Sequence, residues 1–332
     1  MSDGTCQGLG HQWVARASDD GSFPSVDSRK EACVPQPSIP SSSSPDFSGL
    51  WIPLVTPFQG GAVDHAALSA LTRRLAGDGV AGFVVCGSTG EAAALDETEQ
   101  LAALDAVQAA AAGLPIVMGL SGYHLGKTTA WVRRLAEWPL AGLLVPAPHY
   151  IRPSQAGLLE WFRAIADAGA APVLVYDIPY RTGATLTRET LLALAEHPRI
   201  RGIKDCGGDM AKTRAVIADG RLQVLSGEDH QIFGTVAEGG VGAIAASGHV
   251  QTRRFVQVLR LLAENRLAEA RAEWQPLQPL IEMLFAEPNP GPLKALLANG
   301  GSMRDELRSP MTRASDALRE RLVALDARLS RP

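Results

Sequence analysis

The stretch PVLVYDIPYRTGATLTRETLLALAEHPRIRGIKD, residues 172–205, decides the fold. It opens with a short apolar run, PVLVYDIP (172–179), that shows no polar alternation. Such a run has no face to give to water, so it reads as a strand buried on both sides. Residues 187–196 have helical spacing, and IRGIKD (200–205) is again a buried run. Strand, helix and strand at this spacing form a βαβ unit with parallel strands.

The same unit repeats in both directions. Upstream lie the runs GLWIPLVTP (49–57), AGFVVCG (81–87), PIVMGL (115–120) and AGLLVPAP (141–148), with helical segments at 66–77, 98–113, 127–137 and 154–169 between and after them. Downstream lie LQVLSG (222–227) and VGAIAAS (241–247), with helices at 209–219, 229–238 and 251–263. Eight units in about 215 residues are the size of a (β/α)8 barrel, an α/β fold. An open doubly wound sheet is the structural alternative, but it usually needs fewer units, and no GxGxxG follows the first strand. Residues 265–332 predict a C-terminal helical region, with a charged last helix around 313–328. Residues 1–47 are polar and rich in Ser, Pro, Asp and Gly, and predict a disordered tail; a targeting or partner-binding segment is the alternative. The expected organisation is therefore a tail (1–47), a catalytic barrel (48–264) and a helical region (265–332).

Composition narrows the function. Of 332 residues, 46% are hydrophobic and 20% charged, as in soluble globular proteins. The net charge of −4, with no Lys/Arg run, argues against nucleic acid as a partner. No apolar run is long enough for a membrane span, and the N-terminus lacks the pattern of a secretory signal. Cys6, Cys33, Cys86 and Cys206 show neither metal-ligand spacing nor a disulfide pattern, which fits a reduced, cytoplasmic setting.

In such a barrel, function sits where strands end and the following loops begin. Lys204 ends the sixth strand in GIKD. A strand-end lysine can snorkel or pair with a carboxylate. Buried in an apolar barrel, it instead loses its proton readily and becomes a nucleophile toward carbonyls. Tyr176 ends the fifth strand, where its phenol could shuttle protons, or simply fill the core. GSTGE (87–91) follows the second strand; Gly87 and Gly90 permit a tight turn, Ser88 and Thr89 offer hydroxyls, and N–H groups there can hold a carboxylate. Tyr150, in HYIRPSQ after the fourth strand, is a second phenol at this end, placed in a loop because Pro153-Ser154 suits a helix start. Arg181, in RTG, is either a bidentate partner for a substrate carboxylate or a surface arginine.

GSTGE, PHYIRPSQ, YDIPYRTG, GIKD, LSGEDH, GAIA and FAEPNPGPLK follow one another in an order and spacing that resembles the dihydrodipicolinate synthase / N-acetylneuraminate lyase family, over about residues 48–313. The resemblance implies a (β/α)8 barrel with a C-terminal helical region, assembled as a homotetramer of two tight dimers. It implies a Schiff-base lyase of class I aldolase type, with pyruvate bound to Lys204 and Tyr176 passing protons to and from the imine. Thr89 and the loop backbone, including Gly90, would bind the pyruvate carboxylate, and Ile244 of GAIA would line the pyruvate site. Ser88, Tyr176 and a Tyr150 reaching across the dimer would form a hydroxyl relay. Arg181 points to the synthase branch, in which the second substrate is L-aspartate semialdehyde and the product serves lysine and diaminopimelate biosynthesis. An aldolase or dehydratase for a 2-keto-3-deoxy sugar acid or sialic acid is the alternative, and a ligand-binding barrel without turnover a more distant one. No metal or organic cofactor is expected, since the imine supplies the activation. Tyr180 and the DCGGD after Lys204 depart from the family pattern. Lysine-sensitive members often carry histidines after the GSTGE loop, where Glu97 and Gln100 stand here, and the residue before Tyr150 is His149; weak or absent lysine inhibition is expected.

Overall fold

The computed structural model describes residues 45–330. Eight strands close into one barrel: β1 (Gly49–Pro53), β2 (Gly82–Val85), β3 (Ile116–Gly119), β4 (Gly142–Pro146), β5 (Val173–Asp177), β6 (Ile200–Asp205), β7 (Gln223–Ser226) and β8 (Gly242–Ile244). Every neighbour is parallel, and β1 completes the ring by pairing with both β2 and β8. Each run expected as a strand is one. The intervening helices are α1 (His65–Gly77), α2 (Glu97–Ala110), α3 (Leu125–Arg134), α4 (Gln155–Ala168), α5 (Arg188–Leu194), α6 (Met210–Asp219), α7 (Ile232–Ala237) and α8 (Thr252–Ala263). Their starts follow side-chain caps: Asp64, Ser154, Thr187 and Asp209 accept backbone N–H groups, and Asp96 with Glu99 forms a capping box before α2. The helix expected at 229–238 divides into a tight turn at Asp229–Gln231 and α7.

Side chains alternate in and out along each strand. Trp51, Val84, Val117, Leu144, Leu174, Tyr176, Leu225 and Ile244 fill the lumen, while Leu50, Ile52, Phe83, Val85, Val173 and Val175 pack under the helices. At the N-terminal end of the strands the floor is closed by Phe47, fully buried, and by Trp51, whose indole N–H donates to the Phe47 carbonyl at 2.9 Å. Glycines make the room: a β-carbon on Gly82 would lie 2.4 Å from the Trp51 ring, and one on Gly142 would lie 3.3 Å from Phe47. The Phe47 N–H donates to Gln223, and Gln223 donates to the Pro45 carbonyl. The barrel therefore begins before residue 48, because closing its floor needs a large side chain from the approaching segment. Residues 1–44 of the expected tail lie outside the described residues.

After α8 come α9 (Leu267–Trp274), α10 (Gln278–Leu284), α11 (Gly291–Asn299) and α12 (Asp316–Leu329). Helix α12 packs on α10 and α11. This region folds back onto the loop after β2. Lys294, fully buried, donates to Glu91, and Arg308 pairs with Glu99 and donates to the Ala94 carbonyl. A small hairpin, Phe58–Gln59 against Ala62–Val63, follows β1. No helix among the described residues is long and apolar enough to cross a membrane.

Candidate active site

Among the described residues three lysines are deeply buried: Lys204, Lys212 and Lys294. Lys212 is tied to Asp177 and Lys294 to Glu91. Lys204, only 6% exposed, has no carboxylate partner among the described residues. Its strand puts Gly202, Lys204 and Cys206 on the lumen side, with Ile203 and Asp205 outward. Burial holds its ammonium below the usual lysine range; the Arg181 charge pushes the same way, while Asp229 and Glu228 oppose it. An unpaired, desolvated ammonium is costly, so burial makes its proton easier to lose, and the neutral amine that loss leaves is a nucleophile.

The register Tyr176↔Lys204 sets the two side chains next to each other across β5 and β6. The Lys204 Nζ lies 3.4 Å from the Tyr176 hydroxyl and 4.4 Å from the ring centroid. Burial raises the Tyr176 phenol well above its ordinary range, and a hydrogen bond with Ser88 acts in the other direction. The phenol is thus a protonated group that can donate to, and accept from, atoms at the amine. On the far side of Lys204 the chain must be glycine: a β-carbon on Gly227 would sit 2.4 Å from the Cys206 sulfur and 2.7 Å from Lys204 Cγ.

The loop after β2 forms a tight turn at Ser88–Gly90. Ser88 faces out of it toward Tyr176. Thr89 is buried, and its hydroxyl accepts a hydrogen bond from Asn289 Nδ2 at 3.0 Å. Gly90 is needed for close approach, since a β-carbon there would lie 2.8 Å from the Leu54 carbonyl. Its N–H already donates to Gly87, so its contribution is room rather than a hydrogen bond. Ile244 is buried beside Tyr176 and Cys206 in the lumen cluster.

Ser88, Tyr176, Ile178, Arg181 and Asn289 line one cavity of about 380 Å³ at the C-terminal end of the strands. Arg181 is exposed on a one-turn helix, Pro179–Thr182, with its guanidinium 5.9 Å from the Tyr180 ring. A larger hollow, about 860 Å³, opens at the opposite end of the barrel and is lined by Gly49, Ala81, Val241 and Val256; Arg260 is its one charged wall residue. The smaller one holds the chemistry.

The structure thus places Ser88, Tyr176 and Arg181 on one cavity, Lys204 against Tyr176, Ile244 in the same lumen cluster as Tyr176, and Thr89 and Gly90 in the turn that carries Ser88. It does not bring Tyr150 there. That residue is 86% exposed, in the left-handed region at φ +75°, and forms no hydrogen bond with Ser88 or Tyr176 within the chain. Four residues around Lys204 and the cavity had no role in the sequence reading: Cys206, Glu228 and Asp229 near Lys204, and Asn289 on the cavity wall. Cys206 could have been found by strand alternation from Lys204. The other three lie inside quoted motifs, LSGEDH and FAEPNPGPLK, whose contacts only closure of the barrel creates.

The sequence model of the dihydrodipicolinate synthetase family matches residues 46–327. The chain is 35% identical over 280 residues to 4-hydroxy-tetrahydrodipicolinate synthase 2 of Clostridium acetobutylicum, covering 83% of this chain and 98% of that one. It is 37% identical over 289 residues to 4-hydroxy-tetrahydrodipicolinate synthase of Sorangium cellulosum, covering 85% and 96%. Among solved structures it is similar to dihydrodipicolinate synthase of Aquifex aeolicus, with a TM-score of 0.83 at 28% identity, over 85% of this chain and 98% of that one.

Proposed function

The chain belongs to the dihydrodipicolinate synthetase family, and from that premise we propose that it condenses pyruvate with L-aspartate semialdehyde to 4-hydroxy-tetrahydrodipicolinate, through a Schiff base on Lys204. It is a lyase of the class I aldolase type. The observation that carries the assignment is Lys204 itself, the one of three buried lysines with no carboxylate partner among the described residues, 3.4 Å from a phenol.

Pyruvate enters with its carboxylate toward Thr89 and the Ser88–Gly90 turn. The neutral Lys204 amine attacks C2, and water leaves as Tyr176 supplies and removes protons. The protonated imine draws electrons from C3, which loses a proton to give an enamine. The enamine attacks the aldehyde of L-aspartate semialdehyde, whose carboxylate Arg181 holds. The amine of that substrate then closes the ring on C2 and displaces Lys204. Ile244 supplies the apolar wall behind pyruvate. Ser88 of the same chain, and Tyr150 of the partner subunit, extend the proton relay from Tyr176. This reading makes the protein a cytoplasmic homotetramer of two tight dimers, working in lysine and diaminopimelate biosynthesis.

Borohydride reduction in the presence of pyruvate tests the reading. The adduct mass belongs on the peptide that contains Lys204, and Lys204→Ala should abolish both adduct and turnover while leaving the fold intact. No adduct, or an adduct on another lysine, overturns the assignment. Comparing L-aspartate semialdehyde with 2-keto-3-deoxy sugar acids separates this function from its aldolase alternative.

A further inference from the structure

Glu228 has an orientation that the chain's own contacts leave unexplained. It follows Gly227, whose backbone packs on the Lys204 side chain. Its main-chain carbonyl accepts from the Ser226 hydroxyl at 2.9 Å, which fixes the turn. Its Oε1 is sealed from solvent and has no hydrogen-bond partner among the described residues. Its Oε2 lies 3.9 Å from the Nδ1 of the exposed His230. The other carboxylates buried nearby are matched. Asp229 accepts the Ser247 N–H, Asp205 accepts from Gly207 and Thr213, and Asp177 pairs with Lys212. A buried acceptor left unmade costs free energy, more so when it is charged.

Gly227 packs against Lys204 and Cys206, which puts the next residue, Glu228, with its side chain 22% exposed, on the Lys204 side of the barrel end. The Cys206 thiol beside it is at most a weak, neutral donor and leaves the carboxylate charge unbalanced. Lys204 forms no ion pair with it among the described residues and so does not supply the missing cation. The ligand must.

We propose that Glu228 binds the α-ammonium group of the second substrate, so that the site selects a zwitterionic aldehyde held by carboxylate at Arg181 and by nitrogen at Glu228. The inference rests on the reading of the second substrate given above and extends it to a residue. Ring closure requires that nitrogen to reach the imine carbon on Lys204. A carboxylate one residue beyond the glycine packed on Lys204 holds the nitrogen on that side. Sugar acids offer Glu228 neutral hydroxyls in place of an ammonium, a weaker match for a carboxylate, which discriminates against them.

The test uses the full-length protein with saturating pyruvate and two ligands. One is L-aspartate semialdehyde as substrate. The other is succinate semialdehyde, the same chain without the amino group, as an inhibitor against it. In Glu228→Gln and Glu228→Ala the adduct on Lys204 should still be trapped by borohydride. KM for the amino aldehyde should rise by about ten- to a hundredfold, the loss of a charged hydrogen bond. Inhibition by succinate semialdehyde should be unchanged, and Glu228→Asp should recover part of the loss. Equal weakening of both ligands, or loss of trapping in every variant, would make the role structural and overturn the proposal. An unchanged KM in Glu228→Gln, with wild type active, overturns the proposal alone. A wild type that traps pyruvate but does not turn over L-aspartate semialdehyde overturns it together with the assignment of the second substrate.

Discussion

Lys204, Lys212 and Lys294 are the same residue type at the same depth, and what separates them is the partner. Two are paired with a carboxylate, while the third has none among the described residues and its pKa is lowered by burial and, further, by Arg181. Removing Arg181 takes away a positive neighbour, so the Lys204 pKa should rise. The acid limb of the pH profile for adduct formation should then move to higher pH in Arg181→Ala, with a larger loss in use of the second substrate than in trapping. A limb that stays in place, read by borohydride trapping across pH, contradicts the electrostatic role. His249 behaves differently. It is fully buried, its Nδ1–H donates to the Ala246 carbonyl, and its Nε2 accepts the Val55 N–H. Burial lowers its pKa from 6.5 to about 4. Between those values the unfolded chain takes up a proton that the folded chain refuses. Stability is therefore present above the unfolded pKa and falls as pH drops through the window, by about 3 kcal/mol in all. His249→Gln should flatten that part of the curve in urea unfolding at pH 7 and pH 4.5. Of these residues, Lys204, Tyr176 and Arg181 were legible in the sequence because each ends an apolar run or begins the loop after it. His249 and Glu228 were not, since their state depends on which groups surround them after closure.

The strands were legible for a related reason: burial on both faces forbids polar residues, and eight such runs cannot be mistaken for loops. Elements set by tertiary contact were hidden. The polar neighbourhood of Phe47 gives no hint that its ring closes the barrel floor. Nor does Lys294, in FAEPNPGPLK, reveal that it reaches the GSTGE loop. There its ammonium meets Glu91, and both it and the Arg308 guanidinium lie over the Phe58 ring, at 4.3 and 4.6 Å from the centroid. Glu91 sits at φ +53°, immediately after the turn that carries Ser88 and Thr89. This tether holds the carboxylate-binding loop from behind. Lys294→Met should leave the buried Glu91 charge without its cation, with only the Arg308 N–H still donating to it, costing about 3–5 kcal/mol in urea unfolding. It should also raise KM for pyruvate more than it lowers kcat. Glu91→Gln combined with Lys294→Met should restore part of the stability; a double variant no better than the single one contradicts the pairing. The first turn of α2 bears on regulation. Glu97 pairs with Arg134, and Gln100 donates to the Ala92 and Leu95 carbonyls. Both side chains are committed inside the chain, so lysine should inhibit weakly or not at all. Sub-millimolar inhibition in a steady-state assay would show otherwise.

At the scale of the whole molecule, one protomer does not complete the proposed relay. Ser88 meets Tyr176, but Tyr150 points away, on a rim that also exposes Tyr123 and Ile151. Three large apolar side chains on neighbouring loops form a patch of the kind that a protein surface covers. If a second copy covers it, two-fold symmetry sends Tyr150 of each subunit toward the other's mouth, because the same patch serves both sides. Catalysis then depends on assembly. Tyr150→Phe lacks the phenol and Lys204→Ala lacks the nucleophile, so each alone should be nearly inactive. In a mixed dimer, the Tyr150→Phe chain contributes an intact Lys204, and the Lys204→Ala chain contributes an intact Tyr150. One of the two sites is then complete. Equal amounts of the variants, unfolded together and refolded, should recover roughly a quarter of wild-type activity, because half the dimers are mixed and each carries one working site. Refolding each variant separately and mixing afterwards should recover less, to the extent that subunits do not exchange. Activity that never rises on co-refolding, with mixed dimers verified by mass spectrometry, would mean that Tyr150 serves its own subunit or none, and the relay would end at Ser88.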